Sequence, residues 1–582
     1  MLQTVCNTSS MGCKSSTPVS NEDKYEENMQ APLVSQPMHP PSPHTSKVSI
    51  ERSMSLAGNF VRDIQESVWD AYDRVDGYHS NLGKGAGGEV VKAVSKSNKR
   101  EYAIKIILLT DKRFAKIVEN ERLLLQDLDH PNCIRLYEVY RETLEITRLW
   151  FVMELCTGGH LGQHIARKPK GYLREDTARN FSIQLLGAIN HLHSRRIVHR
   201  DVKLANILLE NADADAPLKL IDFGNSTRFK NNELMTRVAG TTYTSAPEVF
   251  AKKGYDEKID VWSLGVMVYI MLCGRRPFER IDIPGNPTAS EASLISNIVM
   301  GRYHFNFDPF NEVTDDGIHF ICCCLEPRPR YRPTAEQLLQ HRWLQTPSKG
   351  DSMKATSSPQ YQNNHFHVPS VDQQAEYGLR SELARTSMLG VAFSMPPSAT
   401  KELRALFGNL DADKTGYIDK TEFLTAVSSS TTQILPSVDG QAEINRLFDM
   451  IDVDQNQQIT FIEFLAAMLD PKTVDVQDLN QSFQLFDKEG KGYISAADIY
   501  NILDIKMEDA DLKRFASSTS FVDKGGILPS EKVDAGNGFS LSDEEFRKLA
   551  ELEHHNIIKQ KVANMVKECD VDGDGKIRLV EG

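Results

Sequence analysis

No stretch of the 582 residues approaches the ~18 consecutive apolar positions that a membrane-spanning helix needs, and no secretory leader stands at the start. The nine cysteines include no CxxC pair of the kind that holds zinc. Cys322, Cys323 and Cys324 fall in the apolar run Ile318–Leu325, which reads as a buried helix with core thiols in a reducing compartment. A basic surplus is missing too. The formal net charge is −13, which speaks against nucleic acid as a partner. What remains is a cytoplasmic chain too long for one hydrophobic core, so several domains with linkers are expected.

The acidity is concentrated. Residues 401–582 carry 20 Lys and Arg against 34 Asp and Glu, which leaves the preceding 400 residues close to neutral. Apolar spacing at Leu403, Leu406, Phe407 and Leu410 predicts folded helices there, hence a cation-binding domain rather than an acidic tail. Residues 1–54 read as a disordered arm, with five prolines between Ala31 and Ser46. Residues 55–77 read as an N-terminal helix and 78–344 as a two-lobed α+β domain. A linker and junction over 345–400 precedes two all-α pairs, 401–470 and 471–582. Gly525-Gly526 and Gly536-Asn537-Gly538 mark an insertion at about 505–550.

Chemistry first appears at Leu82-Gly83-Lys84-Gly85, continuing to Gly88 and Val90. Glycines at this spacing let backbone amides approach phosphate oxygens, because no Cβ intervenes. Alone the pattern is weak; its company decides. Lys105 ends an apolar run where it can reach phosphates, and Glu121 on the next helix can pair with it. His199-Arg200-Asp201-Val202-Lys203-Leu204-Ala205-Asn206 brings a carboxylate, a cation and an amide into one short loop. Asp222-Phe223-Gly224 supplies a second carboxylate, and Ala246-Pro247-Glu248 closes the segment.

In order and spacing these blocks resemble the protein kinase signature set. The resemblance implies that Asp201 orients the substrate hydroxyl and accepts its proton. Lys203 would stand by the γ-phosphate of ATP, and Asn206 and Asp222 would ligate Mg2+. Met153 would limit the back of the adenine pocket, with backbone groups of Glu154 and Cys156 meeting the base. Lys203 and Gly240-Thr241-Thr242-Tyr243 resemble serine/threonine rather than tyrosine kinases. Arg332 would partner Glu248. Arg200 is the residue that often pairs with a phosphate, with Thr236, Thr241 and Thr242 nearby. Three positions depart from the pattern: Ala86-Gly87 at the glycine-loop tip, His160 where calcium-regulated kinases commonly have glutamate, and Leu204-Ala205 in place of Pro-Glu. The last two remove carboxylates that usually read arginine upstream of the acceptor.

An EF-hand loop places oxygen ligands at positions 1, 3, 5, 7, 9 and 12 of twelve residues, with glycine at 6. Asp411, Asp413, Thr415, Tyr417 through its carbonyl, Asp419 and Glu422 fit throughout, around Gly416. A second loop offers Asp452, Asp454, Asn456, Gln458 and Glu463, but Gln457 replaces the glycine at a cost of ~1 kcal/mol or more, so its binding is weaker. In the third, Asp487–Asp498, Lys491 puts a cation at a ligand position and Asp498 is short, so it reads as structural. The fourth offers Asp570, Asp572, Asp574, Lys576 through its carbonyl and Glu581; the sequence ends at Gly582, before an exit helix. Ile418, Ile459, Ile494 and Ile577 at position 8 would pair the loops two by two.

The whole from about residue 56 is similar to the calcium-dependent protein kinases of plants and apicomplexan parasites. That resemblance implies ATP, Mg2+ and Ca2+ as ligands, protein substrates, and an inhibitory junction released when calcium loads the EF-hands. Leu379, Leu383, Leu389 and Phe393 would line one face of the junction helix, with Arg380 and Arg385 nearby. A non-catalytic calcium scaffold and a constitutive kinase with an EF-hand adaptor remain alternatives. Met11-Gly12-Cys13 is an acylation pattern that works only if translation starts at Met11, in which case the chain would associate peripherally with membranes.

Overall fold

In a computed structural model, the described residues are 56–75, 81–85, 88–143, 147–213, 216–230, 233–280, 287–345, 382–430, 438–469, 474, 476–502 and 576–577. The N-terminal lobe is built on a seven-stranded sheet: β1 (Arg62–Ile64), β2 (Tyr72–Arg74), β3 (Asn81–Gly85), β4 (Gly88–Ser95), β5 (Glu101–Leu108), β6 (Leu136–Glu142) and β7 (Arg148–Met153). Its order is β1-β6-β7-β5-β4-β2, with β3 paired to β4. Branched Val and Ile and the aromatic Tyr, Trp and Phe fill the strand interiors because both kinds of side chain pack well on a pleated surface. One long helix, Lys112–Asp127, accompanies this sheet. Its N-cap is Asp111, whose carboxylate accepts from Phe114 N at 2.9 Å and Arg113 N at 2.8 Å and is held below the usual range by those bonds.

The expected helix over 55–77 is a misreading. The segment holds two four-residue helical turns, Leu56–Asn59 and Val68–Ala71, separated by β1 and followed by β2. β1 runs parallel to β6, pairing Arg62 with Glu138 and Ile64 with Tyr140. The edge of β6 offers unpaired backbone groups, and satisfying them outweighs a helix too short to bury one continuous face.

The C-terminal lobe is centred on the helix Ile259–Cys273, in which every residue is buried. A helix apolar all round belongs inside, and this one packs against Glu175–Ser194 and Asp315–Cys324. In that last helix Cys324 is buried, Cys323 half-buried and Cys322 exposed. Three adjacent helical residues point 100° apart, so they do not all face the core. At the lobe base Arg332, fully buried, reaches Glu248 with paired bonds of 2.6 and 3.1 Å.

The junction forms the helix Glu382–Ser394, with Leu389 and Phe393 buried. Leu379 and Arg380 lie outside the described residues, as do the side chain of Leu383, the arm with Gly12 and Cys13, and the 505–550 insertion. Four helices, Lys401–Leu410, Lys420–Ser430, Val438–Ile451 and Phe461–Met468, frame the first two loops. Ile418 pairs with Ile459 between them. Val476–Phe486 and Ala496–Ile502 frame the third, where Ile494 pairs with Ile577.

Replacing Glu248 by Ala strands the Arg332 guanidinium in the core. The expected loss is about 3–5 kcal/mol of stability, read as a lower denaturant midpoint for the catalytic domain.

Candidate active site and calcium loops

Lys105, on the buried strand β5, places its Nζ 2.6 Å from Glu121 Oε1 of the helix Lys112–Asp127. Neither side chain exposes more than 11% of its surface, so each charge depends on the other for compensation. Asp222 comes to the same place. A methyl group at Gly224 would lie 3.4 Å from Asp222 Oδ1 and 3.6 Å from Glu121 Oε2. Asp222 itself is left-handed, at φ 65°. The turn around it is braced by His199, whose Nε2 bonds the Ile221 carbonyl at 3.1 Å and whose ring lies 5.0 Å from that of Phe223.

Asp201 sits in the middle of the catalytic loop, with 4% of its surface exposed. Its Oδ1 accepts the Thr241 hydroxyl at 2.7 Å and its Oδ2 accepts Lys203 Nζ at 2.8 Å. Asn206 Nδ2 donates to the Asp201 carbonyl at 2.9 Å, and Asn225 Nδ2 to Asp201 Oδ2 at 3.3 Å. The loop backbone hangs from one carboxylate. Asp260, fully buried, accepts His199 N at 2.8 Å, Arg200 N at 2.9 Å and the His193 ring at 3.1 Å. Burial alone would push this acid up, but the bond and charge of His193, with the charge and backbone bond of His199, outweigh it and hold it below the usual range.

The hinge follows β7. Met153 stands opposite Ala103 and Leu136, and the Glu154 carboxylate is occupied by Arg135 N at 2.8 Å and Lys219 Nζ at 2.8 Å. Three residues on, Thr157 N donates to the Glu210 carbonyl at 2.9 Å. In the glycine-rich hairpin Lys84 pairs with Glu89 and Gly85 with Gly88, while Leu82 is exposed and Val90 half-buried. Ala86 and Gly87 lie outside the described residues. His160 caps the helix Leu161–Ala166, its Nδ1 accepting Gln163 N at 3.2 Å.

Thr241 and Asn225 are the site residues that motif reading passed over. The first was read only as a mark of substrate class and as one of three threonines near Arg200, and the second stands one place beyond Asp222-Phe223-Gly224. A cavity of about 400 Å³ is lined by Arg113, Lys116, Arg200 and Arg237 with Asn120, Gly224, Ser226 and Thr227, and by no carboxylate among the described residues.

In the first calcium loop, ligand oxygens of Asp411, Asp413 and Glu422 lie within 4.8 Å of one another; Asp452, Asp454 and Glu463 match them in the second. Burial pushes both Asp411 and Asp452 up to about 8. Lys414 opposes the shift at Asp411 while Glu422 and Asp413 add to it; at Asp452 the charge of Asp454 adds. Buried acids this close fit a divalent cation held by hard oxygens. Gly416 and Gln457 both take left-handed backbone, at φ 84° and 65°, so Gln457 carries the strain that glycine avoids. Thr415 N bonds Asp411 Oδ1 at 3.0 Å, as Asn456 N bonds Asp452 Oδ1. Asp419 N and Thr460 N each donate to the position-12 glutamate at 2.9 Å. The backbone and side-chain oxygens of Tyr417 and Gln458 belong to the paired strands Tyr417–Asp419 and Gln458–Thr460. In the third loop Lys491 Nζ binds both oxygens of Asp498, at 3.0 and 2.9 Å, where an ion would bridge. Asp570, Asp572, Asp574 and Glu581 lie outside the described residues; Lys576 pairs with Ser495.

The first loop rests on the helix Glu175–Ser194. Asn190 Nδ2 donates to the Asp413 and Lys414 carbonyls at 3.3 and 3.2 Å, and His191 Nδ1 donates to the Thr415 carbonyl at 2.9 Å. Burial pushes His191 down to about 3, leaving a neutral ring for that bond. A Cβ at Gly416 would strike the same ring. Arg404 pairs with Glu210 behind the hinge, and Asp129 Oδ2 accepts Ile462 N at 2.9 Å.

His319, Cys323 and His341 also converge on the outer surface of the C-terminal lobe. There Trp343 N donates to His341 Nδ1 at 3.1 Å, which fixes Nε2 as the donor to His319 Nδ1 at 2.8 Å. The trio is satisfied as a hydrogen-bonded chain, without a lone pair left for a metal on His341.

A buried lysine–glutamate pair, a catalytic-loop aspartate with its lysine and asparagine, and paired acidic loops on the same chain define a protein kinase carrying EF-hands. The comparisons agree. The protein kinase domain family matches residues 78–344 and the EF-hand domain pair family residues 400–469. "Calcium-dependent protein kinase 4" of Plasmodium falciparum is 31% identical over 73% of this chain and 80% of its own length. "Calcium-dependent protein kinase 5" of the same organism is 29% identical over 87% and 82%. "Calcium-dependent protein kinase 3" of Plasmodium yoelii yoelii is 30% identical over 72% and 73%. The chain belongs to the calcium-dependent protein kinase family and is a calcium-regulated serine/threonine protein kinase.

Asp201→Asn keeps the shape of the loop but removes the proton acceptor. Phosphate transfer to a protein substrate is expected to fall by about 10²–10⁴-fold, with the KM for ATP little changed, in a radiolabel transfer assay.

Proposed function

We propose that calcium switches this kinase by ordering the first two EF loops against the back of the catalytic domain. The observation that carries the reading is the seat of the first loop on Asn190 and His191, through carbonyls of three loop residues, Asp413, Lys414 and Thr415. Asp411, Asp413, Thr415, Tyr417, Asp419 and Glu422 hold the ion in that loop; Asp452, Asp454, Asn456, Gln458 and Glu463 hold a weaker one. Ordering the loop shapes the surface that the helix Glu175–Ser194 receives, and the same helix leads into the catalytic loop. The Arg404–Glu210 pair extends the contact to the hinge.

The junction helix Glu382–Ser394 packs on Phe461–Met468 and Val476–Phe486. Arg100 Nη1 donates to its Ser394 carbonyl at 3.0 Å and Arg135 to the Phe393 carbonyl at 3.5 Å, two cations at the negative end of a helix. Capture here removes the junction as an inhibitor of the catalytic cleft. Bound ATP supplies the phosphoryl group, with magnesium on Asn206 and Asp222. Lys105 holds the phosphates, Lys203 stabilises the transferring group, and Asp201 takes the proton of a Ser or Thr hydroxyl. Thr241 is part of that geometry, which leaves the cavity of Arg113, Lys116, Arg200 and Arg237 as the place for a regulatory phosphate. The enzyme acts in the cytoplasm, and a form that starts at Met11 would also associate with membranes through acylated Gly12 and Cys13.

Kinase activity is expected to rise with calcium and to fall with chelator. Glu422→Gln should blunt the rise more than Asp498→Asn, because the first loop carries the switch. Equal activity in calcium and chelator would sink this reading. His160 and Ala205 put no carboxylate where upstream arginine is read, so a degenerate peptide library should return weak arginine selection before the acceptor.

A further inference from the structure

Residues 56–64 lie ahead of the matched kinase domain and outside both family matches, yet Leu56, Ala57, Phe60 and Val61 are all buried. Four parts of the molecule meet on this one stretch. Gly58 presses against the end of the helix that carries Glu121, so closely that a Cβ there would fall on the Gln126 carbonyl oxygen. β1 adds a parallel edge to β6 through Arg62, Asp63 and Ile64. Asn59 faces the second EF pair: its Nδ2 donates to the Ile502 carbonyl at 2.9 Å, and the Asn59 carbonyl accepts from Lys488 Nζ. The Phe60 ring, fully buried, stands 5.5 Å from the Phe393 ring of the junction helix and 5.6 Å from the Phe486 ring of the EF helix Val476–Phe486.

The chemistry of this contact is one-sided. Among the described residues Phe60 finds its two ring partners on segments beyond the catalytic domain, more than three hundred positions along the chain from itself. Gly58, two places before it, finds its partner on the helix whose placement makes or breaks the Lys105–Glu121 pair. A rigid helical turn with no side chain at Gly58 transmits a push or a release from one to the other. The third EF loop suits an anchor, because Lys491 closes it on Asp498 without an ion.

We infer that Phe60 is a positioning residue through which the docked junction helix and second EF pair hold the Glu121 helix in its paired position. The inference rests on the calcium switch proposed above and names a further element of it. Undocked, the Phe60 ring has no phenyl partners, and the Glu121 helix loses the brace at its Gln126 end. Docked, that brace favours the Lys105–Glu121 pair and so the phosphate geometry at Lys105. Phe60 touches neither ATP nor substrate, and its effect is confined to the calcium-loaded state.

The test uses the full chain and measures kcat and the KM for ATP in saturating calcium and in chelator. The variants are Phe60→Ala, Phe60→Leu and Asn59→Ala. Phe60→Ala is expected to lose about ten-fold of calcium-stimulated kcat/KM for ATP, while activity in chelator and the number of calcium ions bound stay as in the parent. Phe60→Leu should recover most of the loss. Asn59→Ala, which removes only the bond to Ile502 and spares the core, should lose a smaller part of the stimulation and serves if Phe60→Ala fails to fold. Phe486→Ala combined with Phe60→Ala should be no worse than either alone. Wild-type stimulation in both Phe60→Ala and Asn59→Ala overturns the inference, as does an equal fall with and without calcium, which marks a purely structural role. A parent enzyme that calcium does not stimulate instead overturns the switch itself.

Discussion

The buried ion pair between Lys105 and Glu121 is the constraint on which the remaining structure turns. Two opposite charges removed from water are stable only together, so the strand of one and the helix of the other must keep a fixed distance. That helix is then held from several sides. Asp127 at its end binds Arg195 after the long C-lobe helix and Arg228 in the activation segment. Asp129, just beyond, receives Ile462 N from the EF domain and pairs with Arg135 at 3.3 Å. Gln126 meets Gly58. The C-terminal lobe, the first EF pair and the N-terminal segment all touch the few residues at the end of the helix that carries Glu121.

The catalytic loop obeys the same logic with a different acid. Asp260 lies at the core of the C-terminal lobe and spends both oxygens on the backbone of His199 and Arg200. The loop is therefore placed by a residue that never meets substrate, and Asp201 inherits its position. The first two EF loops are shaped in a related way: the Glu422 and Glu463 carboxylates accept backbone N–H groups of their own turns, which gathers the acids an ion would then hold in place. The loops differ in what sits among those carboxylates. The first two offer clustered acids, whereas the third supplies its own ammonium in Lys491, long where Asp498 is short.

Much of this was legible from short motifs. Phosphoryl transfer needs particular groups a few residues apart, and EF-hand ligation needs oxygens at fixed steps, so both leave local spacing in the chain. The pairing of Glu248 with Arg332, 84 residues apart, was legible only through the resemblance to protein kinases, which the structure bears out. Misreadings fell where no local rule applied. Residues 56–74 have helix-compatible stretches, but an open sheet edge claimed Arg62–Ile64 as a strand. The three adjacent cysteines looked alike in sequence and separate into buried, half-buried and exposed once the helix has a core to face. Thr241 and Asn225 reach Asp201 across 40 and 24 residues, distances over which spacing carries no signal.

By itself the sequence determined the chemistry: which carboxylates, lysines and amides are present, which calcium loops keep their ligands, and which one carries a lysine instead. Those facts are local, because a turn or a phosphate loop is built by neighbours along the chain. Only the tertiary structure decided how the calcium domain reaches the kinase. The seat of the first EF loop on Asn190 and His191, the Arg404–Glu210 pair behind the hinge and the packing of the Phe60 ring against Phe393 and Phe486 join residues about two hundred to four hundred positions apart. Such contacts depend on the shape and burial of two folded surfaces, which exist only after each has packed.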